Sequence, residues 1–428
     1  MKIRLFIISL AFIGNFKSQS LYFPPLTGNT WNTTSPLSLG WCDPAIQDLY
    51  TYLEQTNTKA FILLIDGKIV LEKYFGTFTA DSLWVWNSAG KTLTSMAVGI
   101  AQKQGFLSIE DSTSKYLNAG WTSAPIDKEA QIKIRHQLTM TSGLGYVGDY
   151  YCTDPSCLVY LAEPETRWSY HNAVYTLLDP VLEAATGQTL NNFVNANIRS
   201  KIGMNGLYIK IGYNNINISN ARSMARYGLL LLSKGIWNGT PILDDPAFFT
   251  SMTTSSQNLN PSYGYLTWLN GKSSYMIPSP DVQISVPEKA LPNAPDDVFA
   301  ALGKNGQIIN VSPSQNLVMI RMGNADGNSL VSNQYNDTIW QKMNLLICTS
   351  LEETSSTSLN IFPNPTENVL KIEAPEIIKQ VSVFDLNAHE MNVKFDQNQL
   401  DLSLLKAGIY ILKCDFQDQV IYRRFIKQ

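Results

Sequence analysis

The run Ala60-Phe-Ile-Leu-Leu-Ile65, the dipeptide Asp66-Gly67 and the run Lys68-Ile-Val-Leu-Glu-Lys-Tyr-Phe75 decide how this chain is read. Both runs are apolar and strand-like, and Asp-Gly suits the type I′ turn that joins two strands, so the segment is a β-hairpin. A helix follows over 88–104. Ala89, Leu93, Met96, Ala97, Ile100 and Ala101 recur there at helical spacing, and Gly105 supplies the stop.

Working outward, the pattern predicts helices over 45–55, 172–186 and 220–234, the last two ended by Gly187 and Gly235, and a second hairpin at Asn238-Gly239. Strand-like runs then cover 263–269, 298–311 and 316–322, and a last helix covers 336–349. Strands early and late with helices between them predict a mixed α/β fold of the α+β type. Its antiparallel β-sheet is built from both ends of the domain, flanked by helices, with a helical insertion in the middle.

The ends of the chain differ from this body. Lys2 and Arg4 precede a short apolar run, and Ser18-Gln19-Ser20 offers small residues for cleavage after Ser20, so residues 1–20 are expected to be a signal peptide. The apolar run falls short of the ~20 residues that span a bilayer. Residues 21–350 then form the main domain, 351–358 a polar linker, and 359–428 a small C-terminal β-sandwich of short alternating strands. Export permits disulfides. Cys152 and Cys157 are placed to close a small loop, Cys42 and Cys348 to staple the first and last helices, and Cys414 is left over. Three histidines and no Cys-x-x-Cys argue against a metal site. A net charge of −3 without a Lys/Arg stripe argues against nucleic acid as a partner.

The chemistry lies in three short boxes. Ser88-Ala-Gly-Lys91 opens the amphipathic helix, where residues three apart share a face, so the Lys91 amine falls beside the Ser88 hydroxyl. A serine is a poor nucleophile until a base takes its proton, and a lysine can be that base if burial or a nearby cation lowers its pKa. Tyr170-His-Asn172 is a Tyr-x-Asn box and Lys304-Asn-Gly306 a Lys-x-Gly box within a strand-like run. Each has competitors: Ser112/Lys115 and Ser403/Lys406 for the first, Tyr116/Asn118 and Tyr213/Asn215 for the second, and Lys103/Gly105, Lys201/Gly203 and Lys406/Gly408 for the third. Only Ser88, Tyr170 and Lys304 give helix start, mid-chain loop and late strand in that order.

With these boxes, His136-Gln-Leu-Thr-Met-Thr-Ser-Gly-Leu144, the segment from Gly99 to Asp111, and Ala300-Ala-Leu-Gly-Lys-Asn-Gly-Gln-Ile-Ile309, the chain from about 40 to 350 resembles the class C β-lactamase-like, penicillin-recognising serine hydrolases. The resemblance implies Ser88 as nucleophile, Lys91 as its activator and Tyr170 as a proton carrier. It implies that Lys304 adds charge keeping Tyr170 or Lys91 partly deprotonated, and that Asn172 bonds Lys91 or a substrate amide. The N–H groups of Ser88 and Gln307 would form the oxyanion hole, with Asn305 and Gly306 beside the substrate. No cofactor is implied, and the partner is a small-molecule or peptide substrate. Met140 stands where many relatives have His. Asn305 stands where β-lactamases have Thr or Ser to hold a substrate carboxylate, which favours an esterase or amidase. The alternatives are a D,D-peptidase or β-lactamase, and a catalytically inactive ligand-binding relative.

The tail carries a second resemblance. Ile361-Phe-Pro-Asn-Pro365, Val381-Ser-Val-Phe-Asp385, Leu405-Lys-Ala-Gly-Ile-Tyr-Ile-Leu412 and the basic end Arg423-Arg-Phe-Ile-Lys427 resemble the sorting domain of the type IX secretion system. That implies the type IX machinery as a partner and a secreted or cell-surface destination.

Overall fold

In the computed structural model the described residues are 21–325, 330–347, 359–374, 376–385, 389–417 and 420–428. The expected signal peptide, the linker 351–358 and Cys348 lie outside them. The chain divides into two compact units, with the boundary between Leu346 and Ile347.

The first unit is built on the hairpin that the Asp66-Gly67 dipeptide announces. α1 (Asp43–Gln55) leads into β1 (Thr58–Ile65), and β1 turns at Asp66-Gly67 into β2 (Lys68–Tyr74). Gly67 has φ +79°, and a Cβ there would fall 2.0 Å from the Tyr22 carbonyl oxygen, so the turn needs glycine. Then come α2 (Gly90–Lys103), α3 (Asn172–Thr176) and α4 (Leu178–Thr186). β3 (Leu207–Ile211) and β4 (Asn214–Ser219) pair with each other, and α5 (Ala221–Leu232) follows. Late in the chain lie β5 (Trp268–Leu269), β6 (Phe299–Gly303), β7 (Gln307–Ser312), β8 (Leu317–Gly323) and α6 (Asn333–Met343).

The central sheet runs β5-β6-β7-β8-β1-β2 and is antiparallel throughout. Early and late strands meet where β1 pairs β8, Ile62 opposite Ile320. Residues 61–64 and 317–323 are buried on both faces, because α5 packs on one side and α1 with α6 on the other. Gly228 of α5 lets the helix approach β8: a Cβ there would come 2.5 Å from Val318 Cγ1.

Two strand expectations need correction. The run 298–311 is not one strand but the hairpin β6–β7, turned at Lys304–Gly306, where Asn305 has φ 62° and Gly306 φ +71°. Of 263–269, only Trp268 and Leu269 are in a strand: Leu266 has φ 52°, and its N–H donates to the Leu138 carbonyl oxygen at 3.0 Å.

In the second unit, two four-stranded antiparallel sheets enclose one core. Leu370, Ile372 and Leu400 come from one sheet, and Val383, Leu412, Cys414 and Phe425 from the other. The last strand, Val420–Lys427, alternates exposed and buried residues along its length, as a strand with one wet face must.

Cys152 and Cys157 are disulfide-bonded. Cys42 is also disulfide-bonded, and Cys414 is a free, buried thiol.

Candidate active site

Ser88 lies in the 3₁₀ turn Asn87–Ala89 that runs into α2. The chain before it is pinned. The Trp86 N–H donates to the Asn217 carbonyl oxygen at 2.9 Å, and the buried Trp86 indole donates to Ser219 Oγ at 2.8 Å. Asn87, at φ 48°, donates from Nδ2 to the Lys304 carbonyl oxygen at 2.9 Å, which ties the β6–β7 turn to the nucleophile turn. Gly303 passes directly beneath: a Cβ there would sit 3.0 Å from the Ser88 nitrogen and 2.5 Å from the Trp86 carbonyl oxygen, so only glycine fits.

One turn on, Lys91 is 2 % exposed. Its Nζ lies 3.2 Å from Ser88 Oγ and 2.7 Å from Asn172 Oδ1. Asn172 opens α3, and its Nδ2 donates to Asn214 Oδ1, so the acceptor presented to Lys91 is fixed. Burial lowers the Lys91 pKa to about 7, against the opposing charge of Asp179. A neutral amine here can donate one N–H to Asn172 and still aim its lone pair at the Ser88 O–H. The face of Tyr175, 3.9 Å from Nζ, favours the charged form and adds to the opposition from Asp179.

Tyr170 is 1 % exposed. Its ring packs against Trp268 (5.6 Å between centroids) and Trp168 (6.2 Å), which themselves pack on Tyr263. Its backbone is held by the Tyr150 hydroxyl, which donates to the Tyr170 carbonyl oxygen at 2.5 Å. The segment from His136 supports the same loop, since the Ser169 N–H donates to the Met140 carbonyl oxygen at 2.9 Å. Burial holds the Tyr170 phenol well above its ordinary pKa, although Ser88 and Trp268 favour its ionised form. The hydroxyl therefore stays protonated at neutral pH. His171, between Tyr170 and Asn172 in the chain, is buried and caps α3. Burial lowers its pKa to about 4, so it is neutral and carries no charge into the site.

Ser88, Lys91, Tyr170, Asn172 and Lys304 line one small cavity of about 90 Å³. Lys304 reaches it from the turn with an exposed side chain. The leading cause of the lowered Lys91 pKa is burial, and Lys304 is not among its causes. Asn305, Gly306 and Gln307 do not line the cavity. The carbonyl oxygens of Asn305 and Gly306 accept from Arg321 Nη1 at 2.7 and 3.0 Å, and the Gln307 side chain turns into the sheet, donating to the Gly323 carbonyl oxygen at 2.6 Å. Other residues complete the wall: Asn87, Tyr150, Tyr151, Tyr175, Asn214, Asn215, Ile216 and Leu330. Tyr213/Asn215, set aside as a competitor Tyr-x-Asn box, thus contributes Asn215 to the same cavity. Tyr150 and Tyr151 stand beside the Cys152–Cys157 bridge, and that bridge was the one signal that could have marked their loop as a built structure.

An antiparallel sheet flanked by helices, with a Ser-x-x-Lys pair at a helix start and a buried tyrosine opposite, defines the β-lactamase and penicillin-binding fold class. The Beta-lactamase family matches residues 51–339, and the chain belongs to that family. Residues 360–428 match the Secretion system C-terminal sorting domain, which indicates export by type IX secretion to the cell surface or beyond. An uncharacterized protein of Alkalihalophilus pseudofirmus is 23% identical over 304 residues, covering 62% of this chain and 83% of its own length. A penicillin-binding protein homologue from Caulobacter crescentus superposes with a TM-score of 0.55 at 13% identity, covering 74% of this chain and 99% of that one. A family VIII carboxylesterase superposes with a TM-score of 0.54 at 15% identity, covering 71% and 98%. At such identities the structural likeness establishes the fold alone.

Proposed function

We propose that this chain is an exported serine hydrolase that cleaves an ester or amide bond through an acyl-Ser88 intermediate. The observation that carries the reading is a buried Lys91 amine, its pKa brought to about 7, 3.2 Å from Ser88 Oγ. Lys91 takes the Ser88 proton as Oγ attacks the substrate carbonyl carbon. The negative oxygen that forms is held by the N–H of Ser88, a donor worth about 3 kcal/mol, while Gln307, expected as the second donor, lies outside the cavity lining. Tyr170, kept protonated by burial, passes a proton to the leaving group and recovers one from the water that cleaves the acyl-enzyme, while Lys91 returns its proton to the departing Ser88 Oγ. Lys304 stands at the rim, where its charge meets the substrate rather than the base. Asn305 and Gly306 act through the turn that carries Lys304.

An ester is favoured over a β-lactam or a D-Ala-D-Ala peptide. Those substrates carry a carboxylate beside the scissile bond, and Asn305, in the position that would hold it, does not line the cavity. For export, we infer a leader at residues 1–20, followed by passage through the outer membrane under direction of residues 359–428. A fluorophosphonate probe tests the central step. It should add one phosphonyl group to the full-length protein by intact mass and none to Ser88→Ala. Equal labelling of both proteins would rule out Ser88 as the nucleophile.

A further inference from the structure

One buried charge near Lys91 has no part in the mechanism above. Asp179 sits in the first turn of α4, which packs against α2, and is 5% exposed. Its Oδ2 accepts from Asn215 Nδ2 at 3.1 Å. Its Oδ1 is buried with no hydrogen-bond partner among the described residues. A carboxylate so enclosed is costly unless another charge compensates it, and Lys91 is the cation that does so. The two do not bond directly. Asn215 lines the cavity and is bonded to Asp179, while Tyr175 lies with its face 3.9 Å from Lys91 Nζ.

We propose that Asp179 is a positioning residue for the nucleophile's base: its buried carboxylate sets how tightly Lys91 holds its proton. The proposal rests on Lys91 being the base of Ser88, and it goes further by naming a group, outside the reacting set, that fixes the pH at which that base works. Coulomb attraction from the carboxylate favours the ammonium, while burial favours the amine. Burial also pushes the Asp179 carboxyl up to about 7, with Glu183 on the same helix adding to the rise and Lys91 opposing it. Each group thus titrates in the range where the other changes charge, and neither has a fixed counter-ion.

Apart from Glu183, the surrounding groups leave this pair to itself. Around Lys91 stand Ser88 on its own turn, Asn172 and Tyr175 from α3, and Tyr170 from the preceding loop, with Lys304 across the cavity. Around Asp179 stand Glu183, Asn215 from β4, and the phenols of Tyr175 and Tyr208. Burial keeps both phenols protonated. Arg199 lies over the Tyr208 ring at 5.3 Å, but its guanidinium bonds Asn217 and Asn191.

Asp179→Asn is nearly isosteric and keeps an acceptor for Asn215, so it removes the charge with little change of shape. The direct measurement is ¹³C NMR of the protein labelled at lysine Cε, in which the resonance lost from Lys91→Arg identifies Lys91. Removing the carboxylate should lower the Lys91 titration midpoint by up to about one pH unit, the lower end of what one neighbouring opposite charge produces. Fluorophosphonate labelling of Ser88, read at the wild-type midpoint, where Asp179 is partly ionised, should then rise by up to about twofold, because the neutral fraction of Lys91 rises from about half towards nine-tenths. Asp179→Ser removes the same charge with less bulk and serves if the asparagine variant does not fold. A midpoint unchanged or raised in a folded variant overturns the proposal. A lowered midpoint in a protein whose Ser88 takes no label sustains the coupling and defeats the hydrolase reading instead.

Discussion

Ser88/Lys91 and Ser112/Lys115 are the same box at the same spacing, each at the start of a helix, and their surroundings could hardly differ more. Lys91 is enclosed by Asn172, Tyr170 and Tyr175, and burial loosens its proton. Lys115 stands in solvent, paired with Asp111 at 2.8 Å, and that bond tightens its hold on its proton. The spacing is the same, but only Lys91 reaches its serine; the Ser112 hydroxyl has no hydrogen-bond partner among the described residues. What separates a base from a surface ion pair is water: excluded from one amine, it makes the ammonium expensive, and available to the other, it leaves the ammonium stable.

The largest effect expected from this contrast comes from replacing each lysine by arginine. Arginine cannot give up a proton, so Lys91→Arg should lower kcat/KM on p-nitrophenyl acetate by about 10²- to 10⁴-fold, the usual worth of a general base. Lys115→Arg should leave it unchanged. Comparable losses in both variants would mean that the lysines act through folding rather than proton transfer.

Tyr170→Phe comes next. The ring stays in its cluster with Trp168, Tyr263 and Trp268, so only the hydroxyl is lost. The expectation is a drop in kcat of about 10²-fold with KM little changed, from the loss of one general acid. A larger change in KM than in kcat would make Tyr170 a binding residue.

How much of this could be read from sequence depends on distance along the chain. The Ser88–Lys91 contact was legible because one helical turn dictates it. Asn172 was legible as a box member with Lys91 or a substrate amide as its partner, and in the structure Lys91 donates to it. Asp179, Tyr175 and Asn214 were not, because they reach the site through packing of α3, α4 and β4, and no local pattern records which helix face meets which strand. The β6–β7 turn is different. Asn305-Gly306 is the same kind of signal as Asp66-Gly67 and Asn238-Gly239, but the apolar run on either side concealed it. Reading that turn would have shown that Lys304 sits at a tip, with Asn305 and Gly306 directed to Arg321.

Lys304→Ala sharpens the same point. Lys304 is exposed and burial is the leading cause of the Lys91 shift, so the variant should raise KM modestly and leave the acid limb of the pH profile in place. A displaced limb would show that Lys304 does tune the base. The smallest effect on activity belongs to the Cys152–Cys157 bridge. Replacing both cysteines by serine should cost about 2 kcal/mol of stability in the chain-entropy account of so short a loop, read as a lower midpoint in urea, with Ser88 still labelled by the probe. No loss of stability would mean that the loop holds its shape without the bridge.

The measurement that bears most directly on the central claim is the pH dependence of kcat/KM for p-nitrophenyl acetate. The active form of Lys91 is the neutral amine, and its pKa is about 7. Activity should therefore rise with pH through an ionisation near 7, broadened where Asp179 titrates beside Lys91, and fall tenfold per unit well below it. Lys115→Arg should retain that ionisation, and the residual activity of Lys91→Arg should lack it. The same ionisation persisting in Lys91→Arg would contradict the account, since the group that titrates would then not be Lys91.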